Sequence, residues 1–175
     1  MINNLTKTEL EVLMYFVQKP GAEKHIRGLS GEIDLPYSST RNALKSLEEQ
    51  NYLESEERGN LKFYTPGEEF RNAKKVLNIR NIMESGLTDY LEEKLRPDAV
   101  VLFGSYLEGR DTESSDIDIA VVNGREKDVE LEKFEEELGR DIQIIHVPEI
   151  GEESAEFINT LANGYTLSGF LEAKA

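Results

Sequence analysis

The chain has 175 residues, 38% of them hydrophobic, and carries a formal net charge of −15 at pH 7. This length accommodates one mid-sized domain or two small ones. The absence of cysteine excludes disulfide bonds, thiolate metal sites and a cysteine nucleophile. No apolar run approaches 18 residues, and the first ten residues lack a signal-peptide pattern. We therefore expect a cytoplasmic protein that has no membrane partner.

The negative charge is concentrated in the second part of the chain. Residues 1–66 contain eight Lys and Arg against ten Asp and Glu, whereas residues 67–175 contain twelve against twenty-five. An acidic surface repels nucleic acid over long range. The nearly neutral first part is therefore the better candidate for contact with nucleic acid.

The first 66 residues predict three helices followed by a β-hairpin. The spacing of Thr6 and Glu9 is that of a capping box, which predicts a helix from there to Pro20-Gly21. The remaining predicted elements are, in order, a helix over His25–Ile33, a helix capped by Ser38 or Ser39, and two strands, Tyr52–Glu56 and Leu61–Thr65. Gly59-Asn60 is typical of a hairpin turn.

This order is that of a winged helix-turn-helix domain, and LPYSSTRNALKSLEEQNYLE resembles the recognition segment of many prokaryotic regulators. If the domain binds DNA, the third helix enters the major groove by its N-terminal residues. The candidate DNA-binding residues are Ser38, Ser39, Thr40, Arg41 and Lys45 on the helix, with Arg58 and Lys62 on the wing. The alternative is a winged helix that serves for dimerisation or for docking a partner.

A linker helix is predicted over residues 67–85, because the apolar residues of this segment recur at helical spacing until Gly86. Such a helix packs between domains or pairs with a second copy in a homodimer. A further helix is predicted over Thr88–Leu95, and the chain closes with a predicted helix, Glu153–Ala162, and a short strand, Tyr165–Ser168.

The segment VVLFGSYLEGRDTESSDIDIAVV predicts an apolar strand, a Gly-Ser turn, a polar stretch and a second strand. Asp116 and Asp118 are two residues apart, so on a strand both carboxylates face the same way. Two converging carboxylates suit Mg²⁺, which binds through a few protein acids and substrate phosphates. Gly104 allows close approach of the backbone to a ligand, and Ser105 would present its amide and hydroxyl to a phosphate if it opens a helix.

GSYLEGRDTESSDID resembles the Gly-Ser, ten residues, Asp-x-Asp signature of minimal nucleotidyltransferases in the DNA polymerase beta superfamily. The resemblance implies a small mixed sheet with flanking helices, two Mg²⁺ ions, and transfer of a nucleoside monophosphate from an NTP, expected to be ATP. It implies that Gly104 and Ser105 bind the phosphates and that Asp116 and Asp118 hold the metals. Glu108 stands where many relatives have a basic residue, and Arg110 is the nearby replacement.

Active members of this superfamily use a third carboxylate on a neighbouring strand. Asp141 is the candidate here, because alternation along the following strand places Asp141, Gln143 and Ile145 on one face. In that position Asp141 would hold a metal and activate the acceptor hydroxyl. Alternatively, Asp141 merely starts the strand beside Arg140. Some relatives with a helix-turn-helix have a weakened pattern here, with an amide where Gln143 stands.

Together these features predict an α+β protein with a winged helix-turn-helix over residues 1–66, a linker helix over 67–85 and a nucleotidyltransferase domain over 86–175. The predicted function is Mg²⁺-dependent nucleotidyl transfer to an acceptor hydroxyl. By resemblance, the acceptor could belong to a helical HEPN-type partner in a prokaryotic toxin–antitoxin pair. Two alternatives remain open: a DNA-binding regulator whose transferase domain is a nucleotide sensor or scaffold, and an antitoxin that acts by binding alone.

Overall fold

The computed structural model describes residues 4–171 and has the predicted α+β fold. The chain forms two compact units, Met1–Leu77 and Asn78–Ala175, called here the N-terminal unit and the C-terminal unit. Among the described residues, no helix is both long enough and apolar enough to cross a membrane.

Three helices and a small sheet make up the N-terminal unit before its last helix begins. In chain order the elements are α1 (Lys7–Gln18), β1 (Lys24–His25), α2 (Ile26–Glu32), α3 (Tyr37–Glu49), β2 (Leu53–Arg58) and β3 (Leu61–Pro66). The sheet is antiparallel in the order β1-β3-β2. This is the element order expected of a winged helix-turn-helix domain.

Local sequence signals account for most of these boundaries. Thr6 caps α1 in a capping box with Glu9, and Gly59 takes a left-handed φ of 63° in the turn between β2 and β3. The prediction for the start of α3 was wrong: the helix begins at Tyr37 with Pro36 at the cap position, so neither Ser38 nor Ser39 caps it. A proline with its fixed φ is compatible with this position. The two-residue strand β1 has no signal in the sequence.

Buried apolar side chains of α1, α3 and β2 form the core of the N-terminal unit, with Phe16, Leu44 and Leu53 almost completely inaccessible. Helix α4 (Phe70–Ser85) begins in this unit and ends in the C-terminal unit. Ala73 and Leu77 of α4 belong to this first core.

The C-terminal unit is a four-stranded sheet with helices. After α4 its elements are α5 (Leu87–Leu95), β4 (Ala99–Phe103), α6 (Gly104–Leu107), β5 (Ile117–Val122), α7 (Glu132–Leu138), β6 (Ile142–Val147), α8 (Ala155–Ala162) and β7 (Tyr165–Gly169), with a 3-10 turn at Ile150–Glu152. The strand order is β6-β5-β4-β7. Strand β5 is antiparallel to β4 and parallel to β6, so the sheet is mixed as predicted.

Both faces of this sheet are covered, because alternate residues of each central strand enter different cores. Val100, Leu102, Ile117 and Ile119 pack into one core with α5, α6 and α7. Residues such as Val101 and Ala120, on the opposite face, pack with Leu161 of α8. The central strands β4 and β5 are thus buried on both faces, and the polar residues of the motif lie at their ends.

Candidate active site and nucleic-acid interface

The two halves of the Gly-Ser and Asp-x-Asp motif meet at one end of the β4–β5 pair. Phe103, the last residue of β4, pairs with Asp118 of β5, so Gly104 follows directly beside the Asp118 side chain. Gly104 has a φ of 76°, and a Cβ there would lie 3.1 Å from Cγ of Asp118 and closer still to its Oδ2. Both the left-handed backbone and the close approach require glycine at this position.

Asp116 and Asp118 stand at the start of β5, the first just before the strand and exposed, the second within it and half-buried. Burial raises the pKa of the Asp118 carboxyl, and the neighbouring Asp116 charge raises it further. Throughout residues 4–171, no basic side chain forms an ion pair with either carboxylate. Two adjacent oxygen donors without a cation of their own fit a hard divalent ion such as Mg²⁺.

Ser105 is the second residue of α6, which follows β4. It therefore lies at the start of a helix, as considered above, but the helix is only four residues long. A helix this short has little macrodipole, so any phosphate binding here depends on individual amide and hydroxyl groups. Arg110 is exposed and forms an ion pair with Glu108. Glu108, the acid that stands where many similar motifs have a base, is therefore in contact with Arg110, the residue expected to replace that base.

Asp141 lies one residue before β6, and its side chain is exposed. Its carbonyl accepts a hydrogen bond from the Ile117 amide, 2.8 Å away. The residue in register with Asp118 on β6 is Gln143. Over the described part of the chain, no three Asp, Glu or His side chains come together as a metal-binding group. The role of Asp141 as a third ligand thus stays a prediction, and within β6 the side chain level with Asp118 is that of Gln143.

A cavity of about 340 Å³ lies beside the Asp116 end of the site. Asp116 and Asp141 both line it, together with Ser114, Ser115 and Arg140. Glu113, Glu135 and Glu136 add three more acids to its wall. The cavity therefore brings Asp116 and Asp141 onto one surface at this end of the site.

A buried polar cluster supports the loop between the two halves of the motif. The Asn78 side-chain amide donates to the Tyr106 carbonyl at 2.8 Å and to Oδ1 of Asp111 at 2.9 Å. Arg140 lies 3.7 Å from Oδ2 of Asp111, with both side chains almost fully buried. Burial raises the pKa of the neighbouring Tyr106 hydroxyl to about 12. Sequence reasoning missed this cluster, since a polar residue on an amphipathic helix such as Asn78 gives no sign that it is buried.

Helix α3 presents part of its predicted DNA-binding set to solvent. Ser38 and Arg41 are exposed, and Ser39 is half-buried. Lys45 is exposed and lies 3.5 Å from Glu49, one turn further along the helix. The prediction that Thr40 faces a duplex was wrong. Its side chain is fully buried and its hydroxyl donates to the Pro36 carbonyl at 3.1 Å, so Thr40 secures the first turn of α3.

The two predicted wing cations are held by glutamates. Arg58 lies 2.7 Å from Glu23 and 2.6 Å from Glu56, and Lys62 lies 2.7 Å from Glu48. Arg41 differs from them, since it makes no ion pair with any residue between 4 and 171. Ion pairs at or near the surface contribute little to stability, so a phosphate could replace a glutamate at small cost.

Known structures show weak likenesses to the chain. One is a possible transcriptional regulator from Methanosarcina mazei Go1, 22% identical, covering 51% of this chain and 79% of that one with a TM-score of 0.38. Another is reduced HlyU from Vibrio cholerae N16961, 19% identical, covering 42% of this chain and 75% of that one with a TM-score of 0.36. A third is TrmBL2, an archaeal chromatin protein, 15% identical, covering 81% of this chain and 62% of that one with a TM-score of 0.33. Likenesses this low support no transfer of function.

The comparison with protein families concerns the C-terminal unit. No curated protein matches the chain significantly. Residues 85–162, somewhat less than half of the chain, match the family model described as polymerase beta, nucleotidyltransferase. This range contains both halves of the motif and the sheet strands that carry them, β4 to β6. The match supports assignment of this part of the chain to the nucleotidyltransferase superfamily.

Proposed function

We propose that the C-terminal unit binds an NTP, expected to be ATP, with Mg²⁺ and transfers its nucleoside monophosphate to an acceptor hydroxyl. The observation that carries the proposal is the contact between Gly104 and Asp118, which unites the two halves of the motif. A site that contains both a glycine turn and paired carboxylates can hold a triphosphate and its counter-ions together. Asp116 and Asp118 would hold two Mg²⁺ ions, and Gly104, Ser105 and Arg110 would contact the phosphates.

In the proposed transfer, the acceptor oxygen forms a bond to the α-phosphorus. The bond from that phosphorus to the bridging oxygen breaks, and pyrophosphate leaves. Asp141, on the wall of the cavity that it shares with Asp116, would accept the proton of the acceptor hydroxyl. Bound Mg²⁺ would neutralise charge on the phosphates, and the protein residues would act mainly by positioning the reacting groups.

A second candidate function is favoured by the residue in register with Asp118. Gln143 is a neutral amide, and a site without a carboxylate at this level of β6 can bind a nucleotide without turning it over. In that case the C-terminal unit is a nucleotide sensor, and the exposed face of α3 with Arg41 would bind DNA as the output of a regulator. The DNA contact is part of both proposals.

Incubation with α-labelled ATP separates the two functions. Purified protein is mixed with labelled ATP, divalent metal and either cell extract or a co-expressed partner, and the label in macromolecules is measured. We expect labelling by the wild type, none by Asp116→Ala, and retained ATP binding without labelling by Asp141→Asn. A wild type that binds ATP but labels nothing with any NTP or divalent metal would contradict the transferase and leave the sensor. Equal labelling by Asp141→Asn would remove Asp141 from the reaction.

A further inference from the structure

Helix α4 holds the turn that follows β4 through two asparagines. Asn78 and Asn81 are three residues apart, so they are neighbours on one face of this helix. The Asn78 amide donates to the Tyr106 carbonyl at 2.8 Å, and the Tyr106 hydroxyl forms a hydrogen bond with the Asn81 side chain. Because Tyr106 directly follows Ser105, these contacts hold the segment that is proposed to meet the phosphates.

The turn cannot keep its position without such contacts. It belongs to α6, which has only four residues, and so short a helix is unstable alone because nucleation is costly. Further backbone hydrogen bonds run from the Glu108 amide to the Gly104 carbonyl at 3.2 Å and from the Arg110 amide to the Ser105 carbonyl at 3.0 Å. They tie the turn to the irregular segment 108–116, which must itself be held in place.

Asp111 holds that segment. Its Oδ1 accepts a hydrogen bond from the Asn78 amide nitrogen at 2.9 Å, and Arg140 lies 3.7 Å from its Oδ2 with both side chains almost fully buried. Separation of a buried carboxylate from its cation is costly, so Asp111 is a firm acceptor that orients the Asn78 amide. Arg140 also donates to the Gly139 carbonyl at 2.8 Å and directly precedes Asp141. The cluster therefore connects the turn with the residue proposed as the base.

We infer that Asn78 is a positioning residue for the triphosphate, which sets the place of Ser105 relative to Asp116 and Asp118. This inference rests on the proposed function of the site. Asn78 is 1% exposed, so it acts through the Tyr106 carbonyl and not by contact with a nucleotide. An amide suits this role because the two hydrogens on its nitrogen serve two acceptors at once.

The inference predicts a selective loss of affinity in Asn78→Ala, which lacks both hydrogen bonds. ATP has two more phosphate groups than AMP, so a displaced turn should weaken ATP binding more than AMP binding. We expect the preference for ATP over AMP to fall by about 10-fold, the lower end of the effect of losing a group that orients a metal ligand. A purely structural role would leave this preference unchanged, because both nucleotides bind only the folded protein and the ratio of their affinities is independent of the folded fraction.

The test uses the full chain with Mg²⁺ and a fluorescent ATP analogue, which ATP and AMP displace in separate titrations. Asn72→Ala is the matched control, since Asn72 is an exposed residue of the same helix that bonds to Glu69. Asp111→Asn is the stability control. It keeps an acceptor oxygen opposite the Asn78 amide but removes the charge beside Arg140, so its melting temperature should fall and its preference for ATP should remain. Asn78→Leu, which has no amide and fills more of the space than alanine, replaces Asn78→Ala if that variant does not fold.

The failure of this inference differs from the failure of the proposed function. An unchanged preference for ATP in the Asn78 variant would overturn the positioning role of Asn78 and leave the nucleotide site in place. An equal loss of preference in Asn72→Ala or Asp111→Asn would also overturn it, as would failure of both Asn78 variants to fold, which would give Asn78 a role in folding alone. A wild type that binds neither ATP nor its analogue would overturn the inference and the proposed function together.

Discussion

In the N-terminal unit the wing cations Arg58 and Lys62 each lie against a glutamate, whereas in the C-terminal unit Asp116 and Asp118 lie side by side with no basic partner between residues 4 and 171. Neutralised charges can be separated at small cost and need no ligand. Adjacent like charges destabilise the ligand-free state, and a bound cation relieves the repulsion. The difference makes the second arrangement the one whose repulsion a bound cation would relieve, as the proposed function requires.

A second difference between the two units concerns how deeply an ion pair is buried. Arg140 and Asp111 are almost fully buried, while Lys45 and Glu49 are mostly exposed. A buried pair is expensive to break because the remaining charge is left without water. The buried pair of the C-terminal unit therefore holds the loop of the motif, whereas the Lys45–Glu49 pair of the N-terminal unit remains accessible to solvent.

The largest expected effect is the loss of metal-dependent nucleotide binding in Asp116→Ala or Asp118→Ala. Each change removes a proposed metal ligand. Loss of a group that merely orients a ligand already costs about 10- to 100-fold in metal affinity, so ATP affinity in Mg²⁺ should fall by about 100-fold. Asp116→Ala also relieves the repulsion that acts on Asp118, so the ligand-free variant should be at least as stable as the wild type. Calorimetric titration with ATP measures the affinity, and Glu113→Ala on the cavity wall is the matched control. Equal ATP affinity in Asp116→Ala and wild type would contradict the assigned site.

The next effect concerns stability and distinguishes a buried pair from an exposed one. Asp111→Ala leaves buried Arg140 without this partner and removes an acceptor of Asn78. We expect a loss of about 3–5 kcal/mol in the free energy of unfolding. Glu108→Ala, which breaks the exposed pair with Arg110, should cost less than about 1 kcal/mol. Chemical denaturation of both variants measures the difference, and similar values for the two would refute the contrast.

A smaller effect is expected at the exposed face of α3 that we propose binds DNA. Arg41 is free of ion pairs among the described residues, whereas Lys45 is already neighboured by Glu49. Arg41→Ala should therefore weaken duplex binding more than Lys45→Ala, and removal of one phosphate-binding cation should reduce the salt slope by about 1. Gel shifts over a series of salt concentrations with the upstream DNA of the gene measure both quantities. No shift by the wild type even at low salt would leave the N-terminal unit as a docking module.

Sequence patterns predicted the elements well because each depends on neighbouring residues. The capping box at Thr6, the hairpin turn at Gly59 and the alternation of β5 are local signals, and the structure has the corresponding elements. The convergence of Gly104 on Asp118 was also predictable, since both flank paired strands. Recognition of the motif rested on the chemistry of four residues at fixed spacing.

Features that depend on register or on packing between distant segments could not be predicted in this way. Alternation placed Asp141 and Gln143 on one face, but only the pairing with β5 shows which of them is level with Asp118. The burial of Thr40 depends on how α3 packs. The hydrogen bonds of the Asn78 side chain reach Tyr106 and Asp111, which lie 28 and 33 positions further along the chain. Sequence spacing contains no information about such packing.

The smallest expected effect is a pH dependence that belongs to the N-terminal unit. Hydrogen bonds from Lys24 and then Tyr15 hold the pKa of the Glu32 carboxyl below its usual value. A lowered carboxyl pKa means that the interaction stabilises the fold above the unfolded-state pKa and that this contribution disappears as pH falls through the folded-state value. Lys24→Gln should raise the Glu32 pKa toward its ordinary value. Lys19→Gln should have a smaller effect, because Lys19 lies 3.8 Å from Glu32 and makes only a weaker charge interaction. NMR titration of the Glu32 carboxyl carbon between about pH 2 and 7 gives the Glu32 pKa in the wild type, in Lys24→Gln and in Lys19→Gln. An unchanged Glu32 pKa in Lys24→Gln would show that the hydrogen bond is not maintained in solution and that even the local pairing of charges in this unit is loose.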